Sequence, residues 1–189
     1  MASQGFLIYS FSLAQVAGLL GLAYLFTHGW ALWRPASATA LLRAFPRHEI
    51  AGWVMLALAA LWFAGLMGTI DLMEYTPHRS KFVLGVLVLG GLCAYFMREF
   101  LAVRSLGALL LLGAQVMLDA AFLRDEPARL VVTVAAYAYI LAGMFMVGSP
   151  YLLRDFLAWL TEVPGRLRAA AAGGLGFGTL LLVLALWVY

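Results

Sequence analysis

Charge in this chain is confined to five short stretches, and the six apolar runs that these stretches separate contain a single carboxylate, Asp119. Runs of about 20 apolar residues match the length of helix that crosses a hydrocarbon core of roughly 30 Å. Within that core the backbone must satisfy its own hydrogen bonds, which restricts spanning segments to helices or closed barrels. A barrel strand alternates apolar and polar residues, whereas these runs are continuously apolar and rich in Leu and Ala. The expected fold is therefore all-α: a polytopic membrane protein with six transmembrane helices in a compact bundle.

Composition agrees. Hydrophobic residues make up 65% and charged residues 11% of the chain, against about a quarter charged in soluble domains, and the mean hydropathy is +0.97. Six spans and their loops use up the 189 residues, leaving no stretch for a soluble catalytic domain, so a single integral-membrane domain over 1–189 is expected. The pI of 9.2 would suggest nucleic acid in a soluble protein. Here the basic residues stand at span ends, where anionic lipid and topology account for them. The lone Cys93 excludes an intramolecular disulfide and any cysteine-cluster metal site, and its small neighbours suggest helix packing.

The spans are predicted near residues 6–33, 50–70, 82–97, 105–123, 130–148 and 169–189. The first charged residue is Arg34, so a cleavable signal peptide with a positive leading region is not expected. Loops one, three and five carry Arg34, Arg43, Arg47, Arg98, Arg104, Arg154, Arg166 and Arg168, eight of the 12 basic residues. Loops two and four carry the other four, Arg79, Lys81, Arg124 and Arg129. This excess places the odd loops in the cytoplasm and both termini outside, in a membrane expected to be the bacterial inner membrane. Trp30, Trp33, Trp53 and Trp159 fall near the cytoplasmic interface as headgroup-level anchors, with Trp187 near the outer one.

In the fifth loop, Ser149 and Pro150 form a plausible helix start. Leu153, Phe156, Leu157 and Leu160 then share one face opposite Arg154, Asp155 and Glu162, which predicts a short interfacial helix near 150–162. The first loop holds Leu41, Leu42, Arg43 and Phe45, an echo of Leu152, Leu153, Arg154 and Phe156.

Asp119 lies toward the outer end of the fourth span, with Gln115 one turn deeper on the same face. The assigned orientation puts Gln15, Thr133 and Tyr137 in the same leaflet, along with Ser12 and Thr69. Unpaired polar groups are costly in hydrocarbon, so these residues are expected to face one another across a pocket bounded by spans one, four and five. Asp119, Gln115, Gln15, Thr133 and Tyr137 form the candidate ligand or ion site, although hydrogen bonds between helices account for them more readily. Arg79, Lys81, Arg124 and Arg129 are the possible counter-ions for Asp119.

No cofactor is predicted. Axial haem ligands usually stand on facing spans, whereas His28 and His48 are expected at the cytoplasmic ends of spans one and two and His78 on the other side. Paired histidines in an HExxH pattern, a Gly-Lys-Ser phosphate loop and a Gly-x-Ser-x-Gly elbow are all missing from the sequence, so catalysis has no positive support. Small residues recur at four-residue spacing at Ala14 and Gly18, at Ala138 and Ala142, and at Ala170, Gly174 and Gly178, a pattern that lets helices approach closely. The expected function is a small integral-membrane subunit that scaffolds or stabilises a larger membrane complex, in contact with lipid and with other subunits or itself. The alternative is a small homo-oligomeric transporter or channel with its polar site around Asp119.

Overall fold

A computed structural model describes residues 9–189; Phe6, Leu7 and Ile8, assigned to the first span, lie outside the described residues. Among the described residues the fold is all-helical, with eight α-helices: α1 (Leu13–Trp33), α2 (Pro35–Ala44), α3 (Glu49–Thr69), α4 (Arg79–Phe96), α5 (Leu101–Ala121), α6 (Arg129–Gly148), α7 (Tyr151–Glu162) and α8 (Pro164–Trp187). Six of them, α1, α3, α4, α5, α6 and α8, are long and apolar enough to cross a membrane, α4 being extended by a 3-10 lead-in from Met73.

Helix boundaries follow capping chemistry more closely than they follow hydropathy. Helix α1 begins at Leu13 because Ser12 and Gln15 form a capping box, each side chain taking the other's backbone N–H. Helix α5 begins four residues before the predicted Ser105, and α8 begins at Pro164, ahead of the predicted Ala169. In both cases helical hydrogen bonding continues through an Arg-bearing turn (Arg104; Arg166 and Arg168). A long Arg side chain can lie along a helix and reach the headgroups, so charge marks the edge of the hydrocarbon and not the end of the helix. The amphipathic α7 occupies the fifth loop as expected, starting at Tyr151 instead of Pro150. A second such helix, α2, occupies the first loop and was not anticipated.

The chain divides into two compact units. The first takes in the described part of Met1–Ala44 together with Gly113–Ile140 and Arg154–Tyr189. Its core joins Leu13, Val16 and Ala17 of α1 to Ala114 and Met117 of α5, Val132 and Ala136 of α6, and Leu181 of α8. The close pairing is between α1 and α8. A Cβ added to Gly21 would stand 2.9 Å from the carbonyl oxygen of Gly178, and one added to Gly178 would stand 2.8 Å from Tyr24 Cβ. Gly174 lies under the His28 ring, where a Cβ would collide with Cδ2 and Nε2. Lipid removes the hydrophobic drive between helices, so van der Waals contact at such small residues takes its place.

The second unit, Phe45–Leu112 with Leu141–Leu153, is built on α3 and α4. Gly52 admits the start of α5, its added Cβ lying 2.9 Å from the Ala102 nitrogen. Gly107 of α5 and Gly143 of α6 cross reciprocally, each added Cβ lying 2.8 Å from the other's carbonyl oxygen. Little else of α4 is covered: Ala94 is its one buried residue. Cys93, expected in a helix contact, is exposed.

Gly174→Ala should destabilise the protein by about 1–3 kcal/mol, because the new methyl displaces His28. The neighbouring Gly173→Ala, which meets open space, should be neutral or stabilising by up to about 1 kcal/mol. Thermal unfolding in detergent checks both, and equal midpoints would refute this helix contact.

Candidate functional site

The five polar residues predicted as a site all belong to the first unit. Asp119 and Gln115 are brought together: Gln115 Nε2 donates to Asp119 Oδ1 at 2.8 Å. The other carboxylate oxygen accepts the Tyr9 backbone N–H at 3.3 Å, which ties the segment ahead of α1 to α5. With 9% of its surface exposed, Asp119 is nearly enclosed. Gln15 is spent in the α1 capping box, and Thr133 bonds its own helix at the Arg129 carbonyl, 3.1 Å away. Thr69, in the second unit, does the same with Gly65 at 3.2 Å. Tyr137 is exposed on α6.

Two of the four basic residues considered as counter-ions to Asp119, Arg129 and Arg79, donate elsewhere. Arg129 Nη1 donates to the Ala121 carbonyl at 3.3 Å and so closes the end of α5. Arg79 Nη2 donates to the Ile70 carbonyl at 2.9 Å and closes α3. The final carbonyls of a helix lack intrahelical donors, and a guanidinium is a favourable partner there. Among the described residues Asp119 is accordingly held by an amide and a backbone N–H.

A polar cluster that sequence reasoning did not identify lies deeper in the first unit. Tyr139 of α6 donates to the Tyr24 hydroxyl of α1 at 3.1 Å. The Tyr24 ring stacks in parallel on His28, centroids 5.1 Å apart, and meets Phe177 of α8 edge-on. His28 Nδ1 is 3.0 Å from the Tyr24 backbone carbonyl; a carbonyl can only accept, so this nitrogen carries hydrogen. His28, expected at the end of span one, lies five residues before the end of α1, against Gly174 of α8. Tyr24, Tyr139 and Phe177 line a cavity of about 520 Å³ whose other walls are Leu, Val and Ala of α6. The signal available in the sequence was Tyr24 and His28, four residues apart and therefore on one helical face.

At the interfacial end of the same unit, α2 and α7 are fastened by Arg43, whose Nε and Nη2 reach Thr161 Oγ1 and O at 3.0 and 2.8 Å. Trp30 packs with Ala38, Leu160 and Leu167 in a small cluster. Beside it is an apolar cavity of about 390 Å³, with Thr27 and His28 the polar residues among its walls. Trp33, Trp53 and Trp159 are exposed. Arg34 lies over the Trp33 ring and Arg166 over Trp159, at 4.9 and 4.7 Å from the centroids. His48 caps α3, its Nδ1 accepting the Ala51 N–H at 3.2 Å. Beyond the end of α8, the Tyr189 hydroxyl donates to the Ala128 carbonyl at 2.6 Å, and burial, with Glu126 nearby, pushes this phenol above its ordinary pKa.

Comparison with protein-family models, with curated proteins and with solved structures yields no match.

Two substitutions separate polar pairing from mere polarity. Asp119→Asn keeps an acceptor for Gln115 and should cost less than about 1 kcal/mol, whereas Asp119→Leu strands the amide and the Tyr9 N–H and should cost about 1–3 kcal/mol. Unfolding in detergent measures the difference, and equal losses would show that these bonds contribute nothing. Arg43→Ala should loosen α2 from α7 by about 1 kcal/mol, seen as faster amide exchange in α7 with that of α1 unchanged.

Proposed function

We propose that the chain is a non-catalytic integral-membrane subunit that stabilises a larger membrane complex, docking a helix of a partner protein along α3. The observation that carries this reading is a seam of Val54, Leu58, Leu61, Gly65 and Gly68. Its spacing alternates four and three residues, the repeat that keeps one helix facing another. Val54, Leu58 and Leu61 are each more than half exposed, and a Cβ on Gly65 or Gly68 would meet nothing within 4 Å. Lipid has no use for glycine: each costs up to about 1 kcal/mol of helix propensity relative to Ala. A facing helix makes use of it through close backbone approach. Gly21, Gly107 and Gly178 already have a facing helix, whereas the glycines of the seam, like Gly85, Gly91 and Gly173 on other helices, have none.

The polar residues of the outer leaflet support the same reading. Asp119, Gln115, Gln15 and Thr133 have their hydrogen bonds within the chain, as helix fasteners would, so a transport role around Asp119 gains no support from their geometry. In this proposal the bacterial inner membrane is the host, with loops one, three and five cytoplasmic and both termini outside.

Gentle purification of the tagged chain should bring down foreign membrane subunits in stoichiometric amount. The double variant Gly65→Leu/Gly68→Leu has room for its side chains, so it should keep its thermal stability yet lose those subunits. A clean homo-oligomer that carries solute flux in liposomes would overturn the proposal, as would partner recovery undiminished in the double variant.

A further inference from the structure

Helix α3 starts, α4 ends and α5 starts at one end of the second unit, and the connections there form a cavity of about 330 Å³ lined by Arg47, Glu49, Arg98, Glu99 and Phe100. Two features bear on what this cavity can hold. First, the four charges sum to zero, yet among the described residues none of these four charged side chains has an ion pair or a hydrogen bond, the ion pairs there being Arg154 with Asp155 and Arg166 with Glu162. The Arg98 guanidinium lies over Tyr95, 5.9 Å from its centroid, with all its hydrogen-bond donors still available. Second, the backbone around the cavity is held. Gly52 presses on Leu101 and Ala102, His48 fixes the first turn of α3, and Phe100 adopts a left-handed φ of 58°, an uncommon conformation for a bulky residue that the surrounding structure must maintain.

A neutral lining with unpaired charges of both signs is complementary to a neutral ligand that itself carries separated charges. Guanidinium groups offer forked donors suited to a phosphate, and carboxylates accept from a primary ammonium, which has three hydrogens to give. The cavity volume lies at the lower end of the range for small-molecule sites, and the ends of apolar spans lie at headgroup depth. We infer that this cavity binds the phosphoethanolamine headgroup of a bilayer phospholipid, with Arg47 and Arg98 on the phosphate and Glu49 and Glu99 on the ammonium. A choline headgroup presents the same phosphate with no N–H, so the carboxylates provide the selectivity. An anionic headgroup without an amine meets the two glutamates unfavourably.

The test is lipid retention by the intact chain, reconstituted in nanodiscs of equal parts phosphatidylethanolamine, phosphatidylcholine and phosphatidylglycerol, extracted gently and weighed by native mass spectrometry. Phosphatidylethanolamine should be retained about tenfold over phosphatidylcholine. Glu49→Gln/Glu99→Gln should abolish that preference while keeping bound lipid, and Arg47→Gln/Arg98→Gln should lose the lipid. All four positions are exposed, so both variants should unfold at the temperature of the unaltered chain. Equal retention of the two zwitterionic lipids, or preference for phosphatidylglycerol, would overturn the assignment. So would an unchanged preference in the glutamate variant.

Discussion

Inside hydrocarbon a donor without an acceptor cannot turn to water, and the architecture of the first unit follows from that. Asp119 is held by Gln115 and the Tyr9 N–H, and the hydroxyl of Tyr139 finds that of Tyr24. Thr27 and Thr179 turn back onto carbonyls of their own helices at 2.7 and 2.9 Å. Each such bond links two helices or confines a polar atom to its own helix surface. The remaining faces are left free to be wholly apolar.

Once polarity is contained, packing in both units is set by backbone approach. The contacts at Gly21 with Gly178 and at Gly107 with Gly143 are made by glycines that a methyl group would force apart. Large side chains then fill the flanks, as Leu182 does beside Gly21 and Leu111 beside Gly143. The same residue type is left uncovered at Gly65 and Gly68 of α3, and also at Gly85, Gly91 and Gly173.

The number and type of the spans were legible in the sequence because hydrocarbon thickness and backbone pairing leave few alternatives. The ends of α5 and α8 were not, since Arg104, Arg166 and Arg168 read as loop but continue a helix whose side chains reach outward. The Asp119–Gln115 pair was legible from four-residue spacing on one helix. The role of Gln15 as a cap of its own helix is also encoded locally, by Ser12 three residues before it. The Tyr24–Tyr139 bond joins residues 115 positions apart, and no local pattern encodes it. The basic residues carried two kinds of information at once: Arg43, Arg79 and Arg129 count toward sidedness, and each also donates to a specific carbonyl. Only the first of these roles is visible without coordinates.

The pairing of α1 with α8 also has a consequence in time. Residues are added during synthesis at about 5–20 per second, so α1 resides in the bilayer for many seconds before α8 exists. Throughout that interval Gly21 and the His28 ring face lipid, and Tyr24 has no Phe177 to meet. Helix α1 must therefore be stable as a solitary span, which its largely apolar sequence, the Thr27 bond to its own helix and the self-contained Ser12–Gln15 cap allow. A nascent chain halted before α8 would present an unfilled glycine face to every other helix in the membrane, making late synthesis the period when this protein is most open to mispairing.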